Sequence, residues 1–261
     1  FVASGNSVID GSTIREWNYF KVNSDTYYDF GSQLDENGFA LTSDHDLFDS
    51  NLVGLWHLND DATDSSGQGN DLTWMGSEAY AGGLWGANAG TFDGSTDYLD
   101  TPDDTGASSK GLLSFADTDN FTLSFWYKGS DSQSSGFGAP IFGRNNGDIY
   151  ATFSMDDGYV VYKHYDGGWV TLDSSSQIND NKWHHVVFVN HPNETGDLYV
   201  DGVKEADGES TSISNSSRYF TISSMMFGTI NGADAHYTQG DIDEVAIWNK
   251  ALTSAEVTDL Y

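Results

Sequence analysis

The amino-acid sequence predicts an all-β fold, a sandwich of two antiparallel sheets with one short helix near the C-terminal end. Short runs rich in Val, Ile, Phe, Tyr and Trp recur along the chain between turns rich in Asp, Gly, Asn and Ser, which is the spacing of sandwich strands. Gly is abundant, with 29 residues, and Pro is rare, with 3, as expected where tight turns join many strands. Aromatic residues make up 14% of the 261 and supply a hydrophobic core.

The first half of this pattern contains three strand signals. Val53–Leu58 predicts a strand, and residues 60–71 after it form a loop of Asp, Ser, Gly and Asn. Gly90–Leu99 predicts a short strand pair. Phe121–Lys128 is nearly continuous in apolar and aromatic residues, which is typical of a buried strand.

Two hairpins and three later strands complete the β pattern. The hairpins join Ile149–Met155, Tyr159–His164 and Trp169–Leu172, through turns whose Asp-Gly and Gly-Gly pairs supply the positive φ that tight turns need. The later strand segments are Trp183–Val189, Asp197–Val203, which turns at Asp201-Gly202, and Asp241–Trp248.

One helix is predicted, at the C-terminal end. Thr253-Ser-Ala-Glu256 fits a capping box, with Thr253 at the N-cap and Glu256 three residues later, and leads into Val257–Leu260.

Residues 1–50 differ from the rest of the chain and form a β-rich N-terminal extension or arm. Phe1–Asp10 and Glu16–Phe30 contain candidate strands between polar turns. Two alternatives stay open: the extension completes the sandwich of its own chain, or its strands pair with the open sheet edge of a neighbouring molecule.

The formal charge of −30, from 40 acidic and 10 basic residues, limits the possible partners. A field of this sign repels nucleic acid and anionic lipid, so we exclude nucleic acid and direct membrane contact. Thirty-two of the acidic residues are Asp. A halophilic source, in which salt screens the repulsion, and Asp-rich loops that serve Ca²⁺ both explain this balance, and the two are compatible.

The chain is expected to work outside the cell or on its surface. It contains no cysteine, and a domain of this size needs no disulfide. Three N-glycosylation triplets begin at Asn120, Asn193 and Asn215. Because residue 1 is Phe, we expect a processed protein or part of a larger one.

Four stretches carry a resemblance to a known family. In chain order they are Gly54-Leu-Trp-His-Leu58 with Asp64-Ser-Ser-Gly-Gln-Gly-Asn70, then Thr91-Phe-Asp-Gly-Ser-Thr-Asp-Tyr98, then Phe121–Tyr127, and finally Trp183-His-His-Val186, Leu198-Tyr-Val-Asp-Gly202 and Gly240–Trp248 with Ala251-Leu252. In this order and spacing they resemble the laminin-G-like domains of the concanavalin-A-like lectin/glucanase superfamily over about residues 51–261. The resemblance implies a jelly roll of two antiparallel sheets.

The first candidate functional site is a calcium site. The loop from Asp64 to Asn70 offers carboxylate, hydroxyl and backbone oxygens, which are the ligands that Ca²⁺ prefers. Similar domains often hold a structural Ca²⁺ between this loop and an Asp of the last strand, which matches Asp243. The candidate ligands are therefore Asp64, Gly69, Asn70 and Asp243. The alternative is that these are turn residues that form Asx-type hydrogen bonds.

A carbohydrate site is the second candidate. Sugars present C–H faces and hydroxyl rims, so they need an aromatic platform flanked by polar groups. Trp169 and Asp166 lie at a hairpin tip, and a polar loop contains Arg144, Asn145 and Asp148. Trp74 and Trp85 are further platform candidates, and core packing is the alternative for each of these aromatic residues.

Glucanases share this fold, so a catalytic site is also a candidate. The string Glu205-Ala-Asp-Gly-Glu209 matches the Glu-x-Asp-x-Glu of retaining members, whose two carboxylates lie about 5–5.5 Å apart. The segment lacks apolar partners that would raise the pKa of an acid, and it is predicted to be a solvated loop. We therefore expect a domain that is not an enzyme.

Two functions follow from these observations. The first is an extracellular, calcium-stabilised carbohydrate-binding and cell-adhesion module that recognises glycans or a surface polysaccharide. The alternative is a structural subunit of an extracellular filament or surface layer, which assembles with copies of itself through the strands of residues 1–50.

Overall fold

The computed structural model describes residues 19–22, 26–29, 33–34, 40–41, 47, 50–84, 88–100, 120–130, 139–145, 150–165, 169–191, 196–207, 226–227, 229–230 and 236–261. The chain divides into two compact units, Phe1–Ser50 and Asn51–Tyr261. This boundary coincides with the change in sequence pattern near residue 50. The described residues include no helix that is long and apolar enough to span a membrane.

The first unit contains two small antiparallel ribbons among its described residues. β1 (Tyr19–Val22) pairs with β2 (Thr26–Asp29), and β3 (Gln33–Leu34) pairs with β4 (Ala40–Leu41). The segment Glu16–Phe30 therefore contains a hairpin. The predicted strand Phe1–Asp10 lies outside the described residues.

The second unit contains seventeen strands and one helix in the part of the chain that the structure describes. Its elements, in chain order, are β5 (Leu52–Trp56), β6 (Thr73–Met75), β7 (Tyr80–Gly82), β8 (Asn88–Asp93), β9 (Tyr98–Asp100), β10 (Phe121–Lys128), β11 (Ala139–Asn145), β12 (Tyr150–Asp156), β13 (Tyr159–Tyr165), β14 (Trp169–Gln177), β15 (His184–Asn190), β16 (Asp197–Val200), β17 (Val203–Asp207), β18 (Met226–Phe227), β19 (Thr229–Ile230), β20 (His236–Tyr237), β21 (Gln239–Trp248) and α1 (Ser254–Leu260).

These strands form two large antiparallel sheets. The eight-stranded sheet has the order β17-β16-β15-β10-β21-β8-β7, and β5 pairs with β21 beside this path. The seven-stranded sheet has the order β14-β13-β12-β11-β18-β9-β6. The chain crosses repeatedly between sheets, and consecutive strands are neighbours in the β7–β8 hairpin, the β11–β14 meander and the β15–β17 meander. The two-sheet all-β fold that the sequence predicts is confirmed.

The hydrophobic core contains side chains from both sheets. Alternate residues of β10, including Phe125 and Tyr127, belong to it and are almost fully buried. Tyr162 of the seven-stranded sheet contacts Phe188 of the eight-stranded sheet, with ring centroids 4.4 Å apart. Trp56 is 0% exposed, and its indole Nε1 donates to the backbone oxygen of Asn70 at 2.9 Å. The core therefore joins the two sheets and also holds the loop after β5.

The outer face of the eight-stranded sheet is also covered. Thr122 of β10 donates through Oγ1 to the backbone oxygen of Lys250, and the same Oγ1 accepts from the Leu252 N–H. Trp126 stacks on Tyr261 just beyond α1, with ring centroids 5.8 Å apart. The predicted capping box at Thr253 is present. These contacts explain why β10 is buried along both faces.

His185 is buried on this same outer face. Its Nε2 lies 2.8 Å from the Ser124 Oγ, its ring stacks on Trp126, and its Nδ1 has no hydrogen-bond partner in the described structure. Burial lowers the pKa of His185 to about 3. Its neighbour His184 instead lies near the carboxylates of Asp180 and Asp201. Consecutive strand residues lie on opposite faces, as the sequence predicts.

Two local predictions are wrong. Gly90–Leu99 is not a strand pair within one sheet, because β8 joins the eight-stranded sheet and β9 joins the seven-stranded sheet. The Asp93 carboxylate between them accepts from the backbone N–H groups of Ser95, Thr96 and Asp97, and Gly94 has φ +74°. This closed turn redirects the chain from one sheet to the other.

The second wrong prediction concerns Glu205, which lies in strand β17 and not in a loop. Its carboxylate accepts hydrogen bonds from the backbone N–H and the hydroxyl of both Ser175 and Ser176, on β14. Partial burial opposes ionisation, but the hydrogen bonds led by those of Ser176 lower the pKa of Glu205 below its ordinary value. Because β17 and β14 are edge strands of different sheets, Glu205 fastens the two sheets together at one side.

We expect Glu205→Gln to lower the free energy of unfolding by about 1–2 kcal/mol, because an amide nitrogen cannot accept the bonds that one carboxylate oxygen accepts. Asp207→Asn is the matched control, since Asp207 lies on the same strand with an exposed side chain. Urea denaturation measures both variants. Equal stability of the two variants would contradict the role of Glu205.

We expect acid to destabilise the fold through His185. The folded pKa lies below the ordinary value of about 6.5, so the neutral ring contributes stability above that value. This contribution is lost as the pH falls from about 6.5 towards 3. Relative to His185→Gln, the free energy of unfolding of the unmodified chain should fall by up to about 1.4 kcal/mol per pH unit in this range. His191→Gln is the control, and an identical pH profile for His185→Gln would contradict the argument.

Candidate functional site

Strand register assembles a row of aromatic positions at one end of the seven-stranded sheet. Trp169 of β14 pairs with Tyr165 of β13, and Tyr150 of β12 pairs with Asn145 of β11. The pair Ala151–His164 joins β12 to β13, so Tyr150 and Tyr165 occupy neighbouring positions of adjacent strands. We call these four positions, Trp169, Tyr165, Tyr150 and Asn145, the aromatic row.

The aromatic row lies on the outer face of its sheet. Along β14, Leu172 is buried in the core, whereas Thr171 and Asp173 on either side of it are exposed. Successive strand residues alternate between faces, so Trp169 occupies the same face as Thr171. The register then places the other members of the row on that face too.

Only part of the predicted carbohydrate site is brought together. Trp169 and Asn145 share the aromatic row. Arg144 occupies an alternate position of β11 that pairs with Ala151, and this position shares the side of Tyr162, which belongs to the core. Arg144 and Asn145 therefore lie at positions on opposite faces of the sheet. Asp148 and Asp166 lie outside the described residues.

The structure describes one of the two other tryptophans that could form a sugar platform. Trp74 stacks on Phe92 at 5.1 Å between ring centroids and contacts Tyr80 at 5.3 Å, so it packs against the core. Trp85 lies outside the described residues. Sequence reasoning missed Tyr165 and Tyr150. The sequence does contain a signal for Tyr165, because pairing the strands on either side of Asp166-Gly-Gly places it opposite Trp169.

The loop at Asp64 is held by hydrogen bonds to its carboxylate. Asp64 Oδ1 accepts from the backbone N–H groups of Leu55 at 3.0 Å and Ser66 at 2.9 Å. Oδ2 accepts from the Ser66 hydroxyl and from the Asn70 N–H, both at 2.8 Å. The Asn70 amide donates to the backbone oxygen of Val53 at 2.7 Å, and Gly69 takes a positive φ of +78°. These are the Asx-type hydrogen bonds that are the alternative to a calcium site at this loop.

Asp243 lies in a different and more buried setting. Its Oδ2 accepts from the Leu84 N–H and its Oδ1 from the Glu244 N–H. Burial, together with the charge of Glu244, raises the pKa of Asp243 to about 7. A Cβ on Gly83 would lie 2.7 Å from the Asp243 Oδ2, so this close approach requires glycine.

A histidine–glutamate pair, formed by His57 and the sequence neighbour of Asp243, interacts with the charge of Asp243. His57 Nδ1 lies 2.7 Å from the Glu244 Oε2. Burial alone lowers the pKa of His57, but the carboxylates of Glu244 and Asp243 outweigh it and raise the pKa above 6.5. Leu58, Asp60 and Glu244 all have positive φ, which is uncommon outside glycine. The contacts of these side chains hold a strained backbone in place.

The carboxylates of two predicted calcium ligands accept hydrogen bonds within the protein. Four donors already engage the two oxygens of Asp64, and backbone donors engage both oxygens of Asp243. Within the described ranges, no three His, Asp or Glu side chains are grouped so that they could hold a metal ion. The calcium site stays a prediction.

Comparison with known proteins identifies the family. A laminin-G family model, described as the concanavalin A-like lectin/glucanases superfamily, matches residues 93–258. The chain belongs to this superfamily. The family resemblance and the jelly-roll fold that the sequence predicts are both confirmed.

Solved structures with this fold include binding domains of several proteins. Domain 4 of AbnA, a GH43 extracellular arabinanase from Geobacillus stearothermophilus, solved in complex with arabinotriose, has a TM-score of 0.60 and 25% identity, and the match covers 80% of this chain and 97% of that domain. The binding domain of Paraclostridial Mosquitocidal Protein 1 has a TM-score of 0.63 and 18% identity, covering 80% of this chain and 51% of that one.

A structure of botulinum neurotoxin type C, whose cell entry depends upon interaction with two ganglioside molecules, has a TM-score of 0.64 and 14% identity. That match covers 84% of this chain and 52% of the toxin chain. The chain thus spans about half the length of the toxin structures, and at these identities they show the fold alone. No curated protein matches the sequence.

We expect Asp64→Asn to lower the free energy of unfolding by about 1–3 kcal/mol, because it removes an acceptor from a partly buried cluster of donors. The loss should be the same with Ca²⁺ and with a chelator. Asp61→Asn is the control, since its exposed carboxylate accepts from the backbone N–H and hydroxyl of Thr63, two residues away. Thermal unfolding in both buffers measures the effect. A Ca²⁺-dependent rise in Tm that disappears in Asp64→Asn and in Asp243→Asn would instead establish the calcium site.

Proposed function

We propose that this chain is an extracellular carbohydrate-binding and adhesion module and that the aromatic row binds the glycan. One observation carries the proposal: the register of β11 to β14 brings three aromatic positions and one amide, Trp169, Tyr165, Tyr150 and Asn145, into a line on an outer sheet face. These residues are scattered over 25 positions of sequence and become neighbours only in the sheet.

The chemistry of such a row suits sugars. Aromatic rings pack against the apolar C–H faces of a sugar, and an amide both donates to and accepts from hydroxyl groups. Adjacent strands lie about 4.8 Å apart, so the row places these residue types at neighbouring positions of the sheet.

The comparisons support a binding function in general. The arabinanase domain that this chain matches over 97% of that domain's length was solved with arabinotriose. The extracellular location of that enzyme supports an extracellular setting for this chain, which stays a proposal.

A hydrolytic function is less well supported. Glu205, the first carboxylate of the glucanase-like string, is engaged by four donors that lower its pKa, whereas a general acid needs a raised pKa. Glu209, the last member of the string, lies outside the described residues.

The alternative of a filament or surface-layer subunit stays a prediction. The first unit has the hairpin β1–β2, and an isolated two-stranded hairpin is only marginally stable in water. Removal of residues 1–50 followed by measurement of the oligomeric state would decide between an arm that joins copies and an extension of the same chain.

We expect Trp169→Ala to weaken glycan binding at least tenfold, because it removes the largest ring of the aromatic row. The measurement is a glycan array in high salt, run with Ca²⁺ and with a chelator, followed by calorimetry on the best glycan. Tyr261→Ala is the control, since Tyr261 is an exposed tyrosine that packs on the other sheet. Absence of binding to any glycan would refute the proposed function, and unchanged binding by Trp169→Ala would refute the site.

A further inference from the structure

A buried histidine lies at the interface between the eight-stranded sheet and the C-terminal end of the chain. His185 of β15 pairs with Trp126 of β10, and their rings stack with centroids 4.8 Å apart. Tyr261, directly after α1, stacks on both rings, at 5.8 Å from Trp126 and 6.2 Å from His185. His185 is 1% exposed, whereas Tyr261 is 47% exposed. Tyr261 therefore covers the His185 ring and meets solvent itself.

We call residues 254–261, which comprise α1 and Tyr261, the C-terminal cover. Besides the ring stack, the Ser254 Oγ lies 2.9 Å from the Tyr199 hydroxyl of β16, and Val257 is 0% exposed. The residues before the cover have separate ties to the sheet, because the Thr122 hydroxyl bonds to the backbone of residues 250–252. The cover can therefore leave the sheet while residues 250–252 stay attached.

The closed cover leaves no room for a charge on His185. The ring Nε2 lies 2.8 Å from the Ser124 Oγ, and the ring Nδ1 has no hydrogen-bond partner among the described residues. A protonated imidazole donates from both nitrogens, so Nδ1 would carry an unpaired, buried N–H. Burial accordingly lowers the pKa of His185 to about 3. A charged His185 needs contact with water, and Tyr261 prevents that contact.

The charged groups on the elements around His185 are paired with one another, bonded to the backbone or exposed. They are Lys128 of β10, His184 of β15, Asp197 of β16, Asp201 of the turn after β16, Asp241, Asp243 and Glu244 of β21, Lys250 before α1, and Glu256 and Asp259 of α1. The Asp201 carboxylate accepts from the backbone N–H of His185. Burial raises the pKa of Asp243 to about 7, so its protonation stabilises the closed chain as the pH falls and opposes release.

We propose that the C-terminal cover is an acid-released latch: protonation of His185 in mild acid detaches residues 254–261 and opens the Trp126–His185 pair to solvent, while the sandwich stays folded. This inference goes beyond the proposed function and does not depend on glycan binding. In the released state His185 regains an ordinary pKa of about 6.5, so the ratio of released to closed cover rises about 20-fold from pH 7 to pH 5.

The test measures how fast a single buried cysteine is labelled. The natural sequence has no cysteine, so Val257→Cys reports exposure of the cover alone. Leu198→Cys is the matched control, since Leu198 is 0% exposed in the core between the sheets and reports global unfolding. Both are made in the unmodified chain, in His185→Gln, in His185→Phe, which keeps a ring in the stack, and in His191→Gln. Labelling with dithiodipyridine at pH 7 and pH 5 is divided by the rate of an unstructured cysteine peptide at the same pH.

Hydrogen exchange of the unmodified chain, corrected for the intrinsic rate at each pH, gives a second measurement that needs no substitution. It compares peptides that cover residues 254–261 with peptides that cover β10. Circular dichroism checks that every variant is folded at both pH values.

We expect the corrected labelling of Val257→Cys to be at least tenfold faster at pH 5 than at pH 7, with Leu198→Cys unchanged. The acceleration should disappear in His185→Gln and His185→Phe and persist in His191→Gln. Exchange should quicken in residues 254–261 and not in β10. Labelling that does not respond to pH, equal acceleration at both cysteines, or an acceleration that survives in either folded His185 variant would overturn the inference.

Discussion

The burial of both faces of β10, in the middle of the eight-stranded sheet, is the constraint on which the rest of the structure depends. The inner face of β10 packs in the core, and its outer face lies under the segment that carries Thr253 and Tyr261. The Thr122 hydroxyl satisfies a backbone carbonyl and a backbone N–H of this segment, so the covering is specific and not only apolar. The exposed positions Thr171, Asp173 and Thr73 leave the seven-stranded sheet as the one whose outer face meets solvent at both edges.

Carboxylates that accept several hydrogen bonds hold the turns and edges around this sandwich. Asp64 closes the loop after β5, Asp93 redirects the chain between sheets, and Glu205 fastens one edge to the other. Short Asp side chains reach backbone N–H groups two or three residues away, which Glu reaches less easily. Part of the excess of Asp over Glu therefore serves turn geometry and requires neither bound calcium nor adaptation to salt.

Some elements of the fold follow from local sequence signals, and others depend on contacts between distant parts of the chain. The capping box at Thr253 and the strand Phe121–Lys128 were predicted correctly, because a helix cap and an apolar run are local signals. Gly90–Leu99 was assigned to one strand pair, because nothing local distinguishes a hairpin from a crossover between sheets. The sequence predicts a loop at Glu205 because the segment lacks apolar residues, and its hydrogen-bond donors lie on β14, about thirty residues earlier, where no local pattern reveals them.

The sequence by itself determined the all-β class, the C-terminal helix, the superfamily and Trp169 as a candidate sugar platform, because each depends on residue types and their order along the chain. Only the tertiary structure decided which residues join Trp169. Strand pairing, a long-range interaction, placed Tyr165 beside it, put Tyr150 and Asn145 further along the same line, and put Arg144 at a position on the other face. The same pairing showed that the Asp64 carboxylate is already engaged by its own loop and strand, which the composition of that loop did not reveal.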